Sequence, residues 1–260
     1  MTPPFLRIGF LHFAPVPGRL SENQTMIEQG VSLAAEAGAQ WILTPELAVC
    51  GYGFAPLIGT EWIARQPDAW LSRMGRLAAH YRVTLFLSAP ERAARTARLH
   101  NSLFVLGSTG TILGLHRKIH TLRVGSESWS TPGRTARPIS VPPYPAVGLL
   151  ICADASTPQI AGRLRAQGAR CLVSAAAWAP GHHGPNGEWE RCTRQTGLPL
   201  FVCNRTGPDT TLDFTAAESV VAHEGRRLLA MTSTTSAVFL VDWDLHRQAL
   251  HSTVPERIPL

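Results

Sequence analysis

The chain is nearly without lysine. Of its 24 Lys and Arg residues, 23 are arginine, and Lys118, in the stretch GLHRKIHT, is the single lysine. Both residue types solvate a protein surface, but arginine is a planar fork, whereas the lysine ammonium is a compact charge that fits close to one developing oxyanion. Lys118 is therefore either a chance survivor on the surface or a position whose chemistry requires the smaller cation.

Long apolar segments are also missing. No run approaches the roughly 18 residues that a membrane-spanning helix needs, and the N-terminal stretch MTPPFLRIGFLHFAP has no basic segment followed by a long apolar one, as a signal peptide would. The five cysteines include no C-x-x-C pair, which favours reduced thiols over a disulfide framework. These absences predict a cytoplasmic protein without a membrane partner.

The distribution of charge does not indicate a nucleic-acid partner either. The formal charge is +6, but the arginines are scattered, and the densest run, RAARTAR at residues 92–98, has no interleaved aromatic side chains. Such a run is typical of a solvated turn or helix face, so we expect no nucleic-acid partner. With 45% hydrophobic and 16% charged residues, the composition is that of a globular domain.

Short apolar runs alternate with amphipathic stretches from end to end, and no linker divides them. Each half reads roughly as β-α-β-α-β followed by further strands, which predicts mixed sheets covered by helices. Two similar halves predict an α/β fold of two face-to-face mixed sheets with helices outside. The whole chain, residues 1–260, is therefore expected to form one domain.

Local signals place several element ends. Ser21 and Gln24 have the spacing of a capping box at the start of a helix. Asp68 marks the start of a second helix, and Thr157 followed by Pro158 forms an N-cap and N1 pair for a third. NSLFVLG and TILGLHR, joined across Ser-Thr-Gly at residues 108–110, predict a hairpin.

Three polar residues follow buried strands at turn-prone positions, where open α/β sheets keep their ligands. They are Glu46 after WILTP, Lys118 after TILGLHR, and Cys152 at the end of AVGLLIC. A carboxylate, an ammonium and a thiol at three strand ends can converge on one pocket. Taken singly, each has a plainer interpretation, since Glu46 suits a loop and Cys152 suits a small core position.

The other cysteines are expected to be core or near-surface thiols. Cys192 together with His182 and His183 matches no common zinc-ligand spacing, and a second cysteine pair is missing. The sequence therefore predicts no metal site.

In combination, the motifs TPELAVCGY, HRKIHT and GLLICAD resemble the nitrilase superfamily of carbon–nitrogen hydrolases. The resemblance runs from about residue 6 to residue 244 and includes the hairpin before the lysine and the segment LPLFVCNRTG. It implies a four-layer α-β-β-α sandwich, in agreement with the two-half pattern. It also gives Lys118 a catalytic role.

Carried onto this chain, the resemblance implies that Cys152 is the nucleophile and Glu46 the general base. Lys118 and the backbone N–H of Ala153 would stabilise the oxyanion. Glu127, nine residues beyond Lys118, resembles an additional glutamate that helps to fix the lysine and the substrate.

The chain departs from the family pattern after the nucleophile. The run CADASTPQ has the small Ala153 where a bulky residue is common, and Gln159 replaces a usual glutamate. Family members that act on N-carbamoyl amino acids typically have arginines just after the cysteine, which hold the substrate carboxylate. The segment ADAST has none, so the resemblance disfavours this substrate class. A glycine often found in the segment FTAAES is also missing.

The sequence says least about which residues form the walls of the substrate pocket. Tyr52 and Phe54, which follow Glu46, and Trp178, which follows a strand, are candidates for the substrate pocket. The Gly/Pro/His-rich segment 179–189, with His182 and His183, has the composition of an active-site loop, although two exposed loop histidines are the plainer interpretation.

The sequence favours hydrolysis of a small linear amide to a carboxylic acid and ammonia through a cysteine thioester. Hydrolysis of a nitrile, acyl transfer to a soluble amine and an idle binding subunit are the alternatives. No organic cofactor and no metal are required. The expected partners are the small amide or nitrile substrate and further copies of the chain, in a homodimer or homotetramer.

Overall fold

The computed structural model describes residues 5–122, 125–181 and 184–260. His182 and His183, the two loop histidines considered above, lie outside the described residues. Within the described ranges the helices are α1 (Leu20–Glu36), α2 (Ala55–Ile58), α3 (Ala69–Tyr81), α4 (Pro158–Ala166) and α5 (Glu188–Thr196). The strands of the first half are β1 (Phe5–His12), β2 (Trp41–Leu43), β3 (Thr84–Arg92), β4 (Leu99–Leu106) and β5 (Ile112–Arg117). Those of the second half are β6 (Ile139–Val141), β7 (Tyr144–Ile151), β8 (Cys171–Ala175), β9 (Leu200–Cys203), β10 (Ser219–His223), β11 (Arg226–Met231), β12 (Ala237–Asp244), β13 (Ala249–Leu250) and β14 (Glu256–Pro259).

The strands form two mixed sheets. The first has the order β13-β12-β1-β2-β3-β4-β5, with β14 also paired to β12. Its central strands β1, β2 and β3 are parallel, and β4 and β5 form the predicted antiparallel hairpin. The second sheet has the order β11-β10-β9-β8-β7-β6, with β7, β8 and β9 parallel.

Apolar side chains fill the space between the two sheets. Ile8 and Phe10 of the first sheet belong to the same buried cluster as Leu149 and Ile151 of the second. Because side chains alternate along a strand, Leu11 lies on the other face of β1 and packs with helix α1. Helices α1 and α3 cover the first sheet, and α4 and α5 cover the second. The α-β-β-α sandwich predicted from the sequence is confirmed.

Two of the predicted helix starts are capped differently from expectation. The capping box at Ser21 is wrong: α1 begins one residue earlier, at Leu20, without a side-chain cap. The side chain of Asp68, by contrast, caps α3 by accepting from the backbone N–H of Leu71 at 2.7 Å. Thr157 is the N-cap residue of α4, as predicted, but its side chain makes no capping hydrogen bond. Its hydroxyl pairs instead with His120 Nδ1 at 2.7 Å.

The C-terminal segment completes the first sheet. Strand β14 pairs antiparallel to β12, and Leu260 packs on the cluster beneath α1. The sequence patterns did not predict this strand, nor the short strands β6 and β13, because two to four residues carry too little periodicity. No helix in the described part of the chain combines the length and apolar character that crossing a membrane requires.

Candidate active site

The chain turns sharply after β2 and presents Glu46 to the space between the sheets. The backbone N–H of Glu46 donates to Ala176 O, beyond the end of β8, at 3.1 Å. The next residue, Leu47, has φ +50°, a left-handed conformation that is uncommon for a side chain of its size. Its N–H donates to the Ser88 hydroxyl at 2.9 Å, so the turn is held from both sheets. The Glu46 side chain is fully buried as a result.

Lys118 lies between two carboxylates. Its Nζ is 2.7 Å from Glu46 Oε1 and 2.8 Å from Glu127 Oε2, and the side chains of all three residues are excluded from solvent. The backbone of Lys118 is fixed by its N–H to Asn101 O at 2.8 Å and by the N–H of Gly133 to its carbonyl at 2.7 Å. The structure thus brings together three of the residues predicted from the sequence.

Asn101 joins the same cluster, and the sequence analysis did not identify it. Its Nδ2 donates to Glu46 Oε1 at 2.7 Å and to Glu127 Oε1 at 2.8 Å. An amide nitrogen has two hydrogens, so one Asn101 side chain serves both carboxylates. The signal that was available is the single amide side chain in the segment HNSLFVLG, close before its apolar run LFVL.

Glu127 closes a short 3-10 helix, Gly125–Glu127. Besides Lys118, its Oε2 accepts the backbone N–H of Leu122 at 3.1 Å, and its own carbonyl accepts from Ser130 N–H at 2.9 Å. The Glu127 side chain is fully buried, so this residue is not an exposed loop carboxylate.

Cys152 sits where β7 turns into a 3-10 helix, Cys152–Ser156. It has φ +45°, a strained value for a residue with a side chain, and Ala153 follows it as the second residue of the turn. Its Sγ lies 3.8 Å from Ala177 O, next to the Ala177 N–H that donates to Glu46 Oε2 at 3.0 Å. The thiol and the carboxylate therefore both contact the backbone of one residue, Ala177.

Burial governs the protonation of these groups. It raises the pKa of Glu46 despite the opposing charge of Lys118. Burial and the charge of Glu46 raise the pKa of Cys152 well above its ordinary value, and Lys118 offsets them only in part. Burial alone would lower the pKa of Lys118, but the charges of Glu46, Cys152 and Glu127 raise it well above the usual range. Burial therefore opposes ionisation of the thiol and of Glu46, whereas the surrounding negative charges favour the ammonium form of Lys118.

Asp154 ties the cysteine turn to the backbone that follows Lys118. Its Oδ1 accepts from the N–H groups of Ile119 and His120 at 3.0 and 2.8 Å. Its Oδ2 accepts from the N–H of Ile151 at 3.0 Å and lies 2.7 Å from His116 Nε2. Burial would raise the pKa of Asp154, but the His116 contact and the backbone donors together lower it.

The three predicted pocket residues occupy different surroundings. Tyr52 is buried, and burial raises the pKa of its phenol. The charges of Lys118, Glu46 and Glu127 also act on the phenol. Phe54 is fully buried, with edge-on contacts to Trp62 and Trp129. The backbone of Trp178 is held on both sides by the Asn204 amide, at 3.1 and 3.0 Å, and its indole meets Trp189 edge-on. The role of each as a pocket wall stays a prediction.

A buried ion pair supports the Tyr52 segment from behind, and sequence reasoning missed it. Arg205 pairs with Asp209, with 0% and 2% of their side chains exposed. Asp209 accepts the N–H groups of Tyr52 and Gly53 at 3.2 and 2.9 Å. A Cβ at Gly53 would clash with the side-chain oxygens of Thr210 and Asp209, so any larger residue there would have to displace them. The available signal was the paired charges in NRTGPD.

Solved structures share this architecture. The structure of an amidase from Nesterenkonia sp. matches with a TM-score of 0.77 at 24% sequence identity, covering 92% of this chain and 90% of that chain. The chain thus has the fold of the nitrilase superfamily. The sequence profile of the carbon-nitrogen hydrolase family matches residues 8–249, and the protein belongs to that family. It is an enzyme that hydrolyses carbon–nitrogen bonds.

Two known proteins match most of the chain at low sequence identity. An omega-amidase from Xenopus tropicalis is 26% identical over 98% of this chain and 93% of its own. A citrullinase from Francisella tularensis is 28% identical over 75% of this chain and 73% of its own.

Proposed function

We propose that the protein hydrolyses a small, uncharged linear amide to a carboxylic acid and ammonia through a thioester on Cys152. The observation that carries the proposal is the buried contact of Lys118 Nζ with Glu46 Oε1, in a cluster whose charges act on the Cys152 thiol. An ammonium, a carboxylate and a thiol together supply the acid, base, electrophile and nucleophile that amide hydrolysis needs.

In the acylation half, Glu46 takes the thiol proton while Cys152 Sγ attacks the amide carbonyl. The raised pKa of Glu46 makes it a stronger base than an exposed carboxylate, and the thiol stays protonated until substrate arrives. The carbonyl electron pair moves onto oxygen beside the Lys118 ammonium and the N–H of Ala153. Glu46 then passes the proton to nitrogen as the C–N bond breaks, releasing ammonia and leaving the thioester.

In the deacylation half, Glu46 accepts a proton from water as the water oxygen attacks the thioester carbonyl. The C–S bond breaks, the proton returns to sulfur, and the acid leaves. Glu127 and Asn101 hold Lys118 and Glu46 in place through both halves by their contacts of 2.7 to 2.8 Å. No organic cofactor or metal takes part in this proposal.

The surroundings of the cluster support an uncharged substrate. Among the described residues, Lys118 pairs with both Glu46 and Glu127, so the cluster has no unpaired cation for an anionic substrate group. Its two carboxylates already bond to Lys118 and Asn101. The adjacent buried cluster contains Tyr52 and Phe214 with small alanines. A mutant of the Nesterenkonia amidase shows covalent addition of the acetamide moiety of fluoroacetamide at its active-site cysteine, which supports a nucleophilic role for the cysteine here.

Paired substrates test the proposal. Ammonia release is measured for amides and nitriles that share one acyl group, with wild type beside Cys152→Ala. Turnover of the amide by wild type alone is the expected result. Preferential turnover of the nitrile would assign the site to nitrile hydrolysis, and no ammonia from any member of a broad panel would contradict the proposal.

We further propose that residues 1–260 act as one cytoplasmic domain that assembles as a homodimer or homotetramer. The pairing of β14 with β12 supports a single unit, because the last residues close the same sheet that the first residues begin. Light scattering of the purified protein checks the assembly, and a monomer at micromolar concentration would contradict it.

A further inference from the structure

A basic cleft lies at the outer edge of the first sheet, beside the ends of β4 and β5. It has a volume of about 330 Å³ and is lined by Arg98, His100, Arg117 and Arg134, among others. Pockets that bind small molecules start at about this size.

The cleft carries an excess of positive charge. Arg117 is bonded to the nearly buried carboxylate of Glu91, through Nε at 2.9 Å and through NH2. Arg98 and Arg134 are exposed, and neither makes an ion pair within the described residues. Arg117 therefore occupies the one carboxylate of the cleft, and the guanidinium groups of Arg98 and Arg134 have no carboxylate partner among the described residues.

His100 adds a proton-dependent donor. Its Nδ1 lies 2.7 Å from Thr131 O, and because a carbonyl only accepts, Nδ1 carries the hydrogen and the neutral ring leaves Nε2 without one. Burial lowers the pKa of His100, and the charges of Arg117 and Arg98 lower it further, against the opposing effects of Thr131 and Glu91. An anion in the cleft would offset those positive charges and favour the protonated ring.

This cleft is distinct from the catalytic cluster. Side chains alternate along a strand, so His100 and Arg117 point away from the face that presents their neighbours Asn101 and Lys118. Asn101 and Lys118 bond to the buried glutamates, whereas Arg117 and His100 line the outer cleft.

We propose that Arg98, Arg117, Arg134 and His100 form a second binding site, which takes a small molecule through a carboxylate or phosphate group. Guanidinium forks bind such oxyanions with paired, charge-assisted hydrogen bonds. Glu91 holds Arg117 in place, and the guanidinium groups of Arg98 and Arg134 bind the oxyanion of the ligand.

Calorimetric titration tests the site with sulfate, as a phosphate-like probe of constant charge, and with malonate, as a carboxylate probe. Sodium chloride keeps the ionic strength constant. Wild type should bind at least one probe, and Arg98→Ala/Arg134→Ala should bind it about tenfold more weakly or worse. The matched control Arg163→Ala/Arg165→Ala removes two exposed arginines of α4 and should bind as wild type does, as should Cys152→Ala.

The pattern of results decides the proposal. Binding of sulfate alone assigns the site to phosphate groups, and binding of malonate alone assigns it to carboxylates. Sulfate affinity should rise as the pH falls from 8 to 5.5 in wild type and stay flatter in His100→Phe. No binding of either probe, equal loss in both arginine pairs, or loss in Cys152→Ala alone would overturn the proposal.

Discussion

Lys118 Nζ lies 2.7 Å from Glu46 Oε1, and neither side chain is exposed to solvent. An ammonium withdrawn from water without compensation would destabilise the fold by several kcal/mol. Here two carboxylates compensate for the withdrawal, and the Asn101 amide donates to both of them. The four side chains therefore act as one unit, and changes to any of them are expected to be non-additive.

Lys118→Arg should lower kcat/KM for amide hydrolysis by about 100-fold or more, the usual effect of losing one oxyanion donor. The guanidinium is wider and planar, and the space between carboxylates at 2.7 and 2.8 Å fits a single ammonium. Ammonia release measures the effect. Arg117→Lys, at the neighbouring part-exposed position, is the control and should change kcat/KM only a few-fold; an active Lys118→Arg enzyme would disprove the role given to the lone lysine.

Asn101→Ala should shift the acidic limb of the kcat/KM profile to higher pH. The amide stabilises the charged form of Glu46 and so lowers its pKa, and removing it raises that pKa. A more basic Glu46 loses its ionised form at higher pH. The free energy of unfolding should also fall by about 2 kcal/mol, because a hydrogen bond to a buried charge is lost. An unchanged acidic limb in Asn101→Ala would show that Glu46 is not the titrating base.

Asp154→Asn should flatten the loss of stability in acid. The folded-state pKa of Asp154 lies below its ordinary value of 3.8, so the unfolded chain binds the proton more tightly. This contribution is complete above pH 3.8 and disappears as the pH falls through the lower folded-state pKa. Denaturant midpoints between pH 6 and 2.5 measure it. The asparagine variant is expected to be less stable at pH 6 and to show a shallower decline, and parallel curves would contradict this account.

Asp209→Asn should raise KM for the amide several-fold with a smaller fall in kcat. The variant weakens the ion pair with Arg205 and the support of the Tyr52 and Gly53 N–H groups, while Cys152 and its partners are untouched. A purely structural defect would lower the unfolding midpoint and leave KM unchanged in the folded fraction. Steady-state kinetics and thermal unfolding of the same samples separate the two results.

The pattern of alternating strands and helices was enough to predict the two-layered sheet core and the three strand ends that carry Glu46, Lys118 and Cys152. These features follow from local signals, namely apolar runs of strand length that end in turn-forming residues. The lone lysine added weight because it stood out against 23 arginines.

Other parts of the site depend on contacts between distant residues, which local patterns do not encode. Asn101 bonds to Glu46, which lies 55 residues away in sequence, and Asp209 bonds to Gly53, which lies 156 residues away. The effect of burial on the Cys152 thiol has the same origin. The charge of Lys118 by itself would lower the pKa of Cys152, but burial and the charge of Glu46 outweigh it in the folded protein.

Intact-protein mass after brief incubation with small amides, for wild type beside Cys152→Ala, shows whether a thioester forms on Cys152. We expect wild type alone to gain the mass of the acyl group minus one hydrogen, as a thioester requires. An adduct of equal mass on Cys152→Ala, or ammonia released by Cys152→Ala at the wild-type rate, would show that another group is the nucleophile.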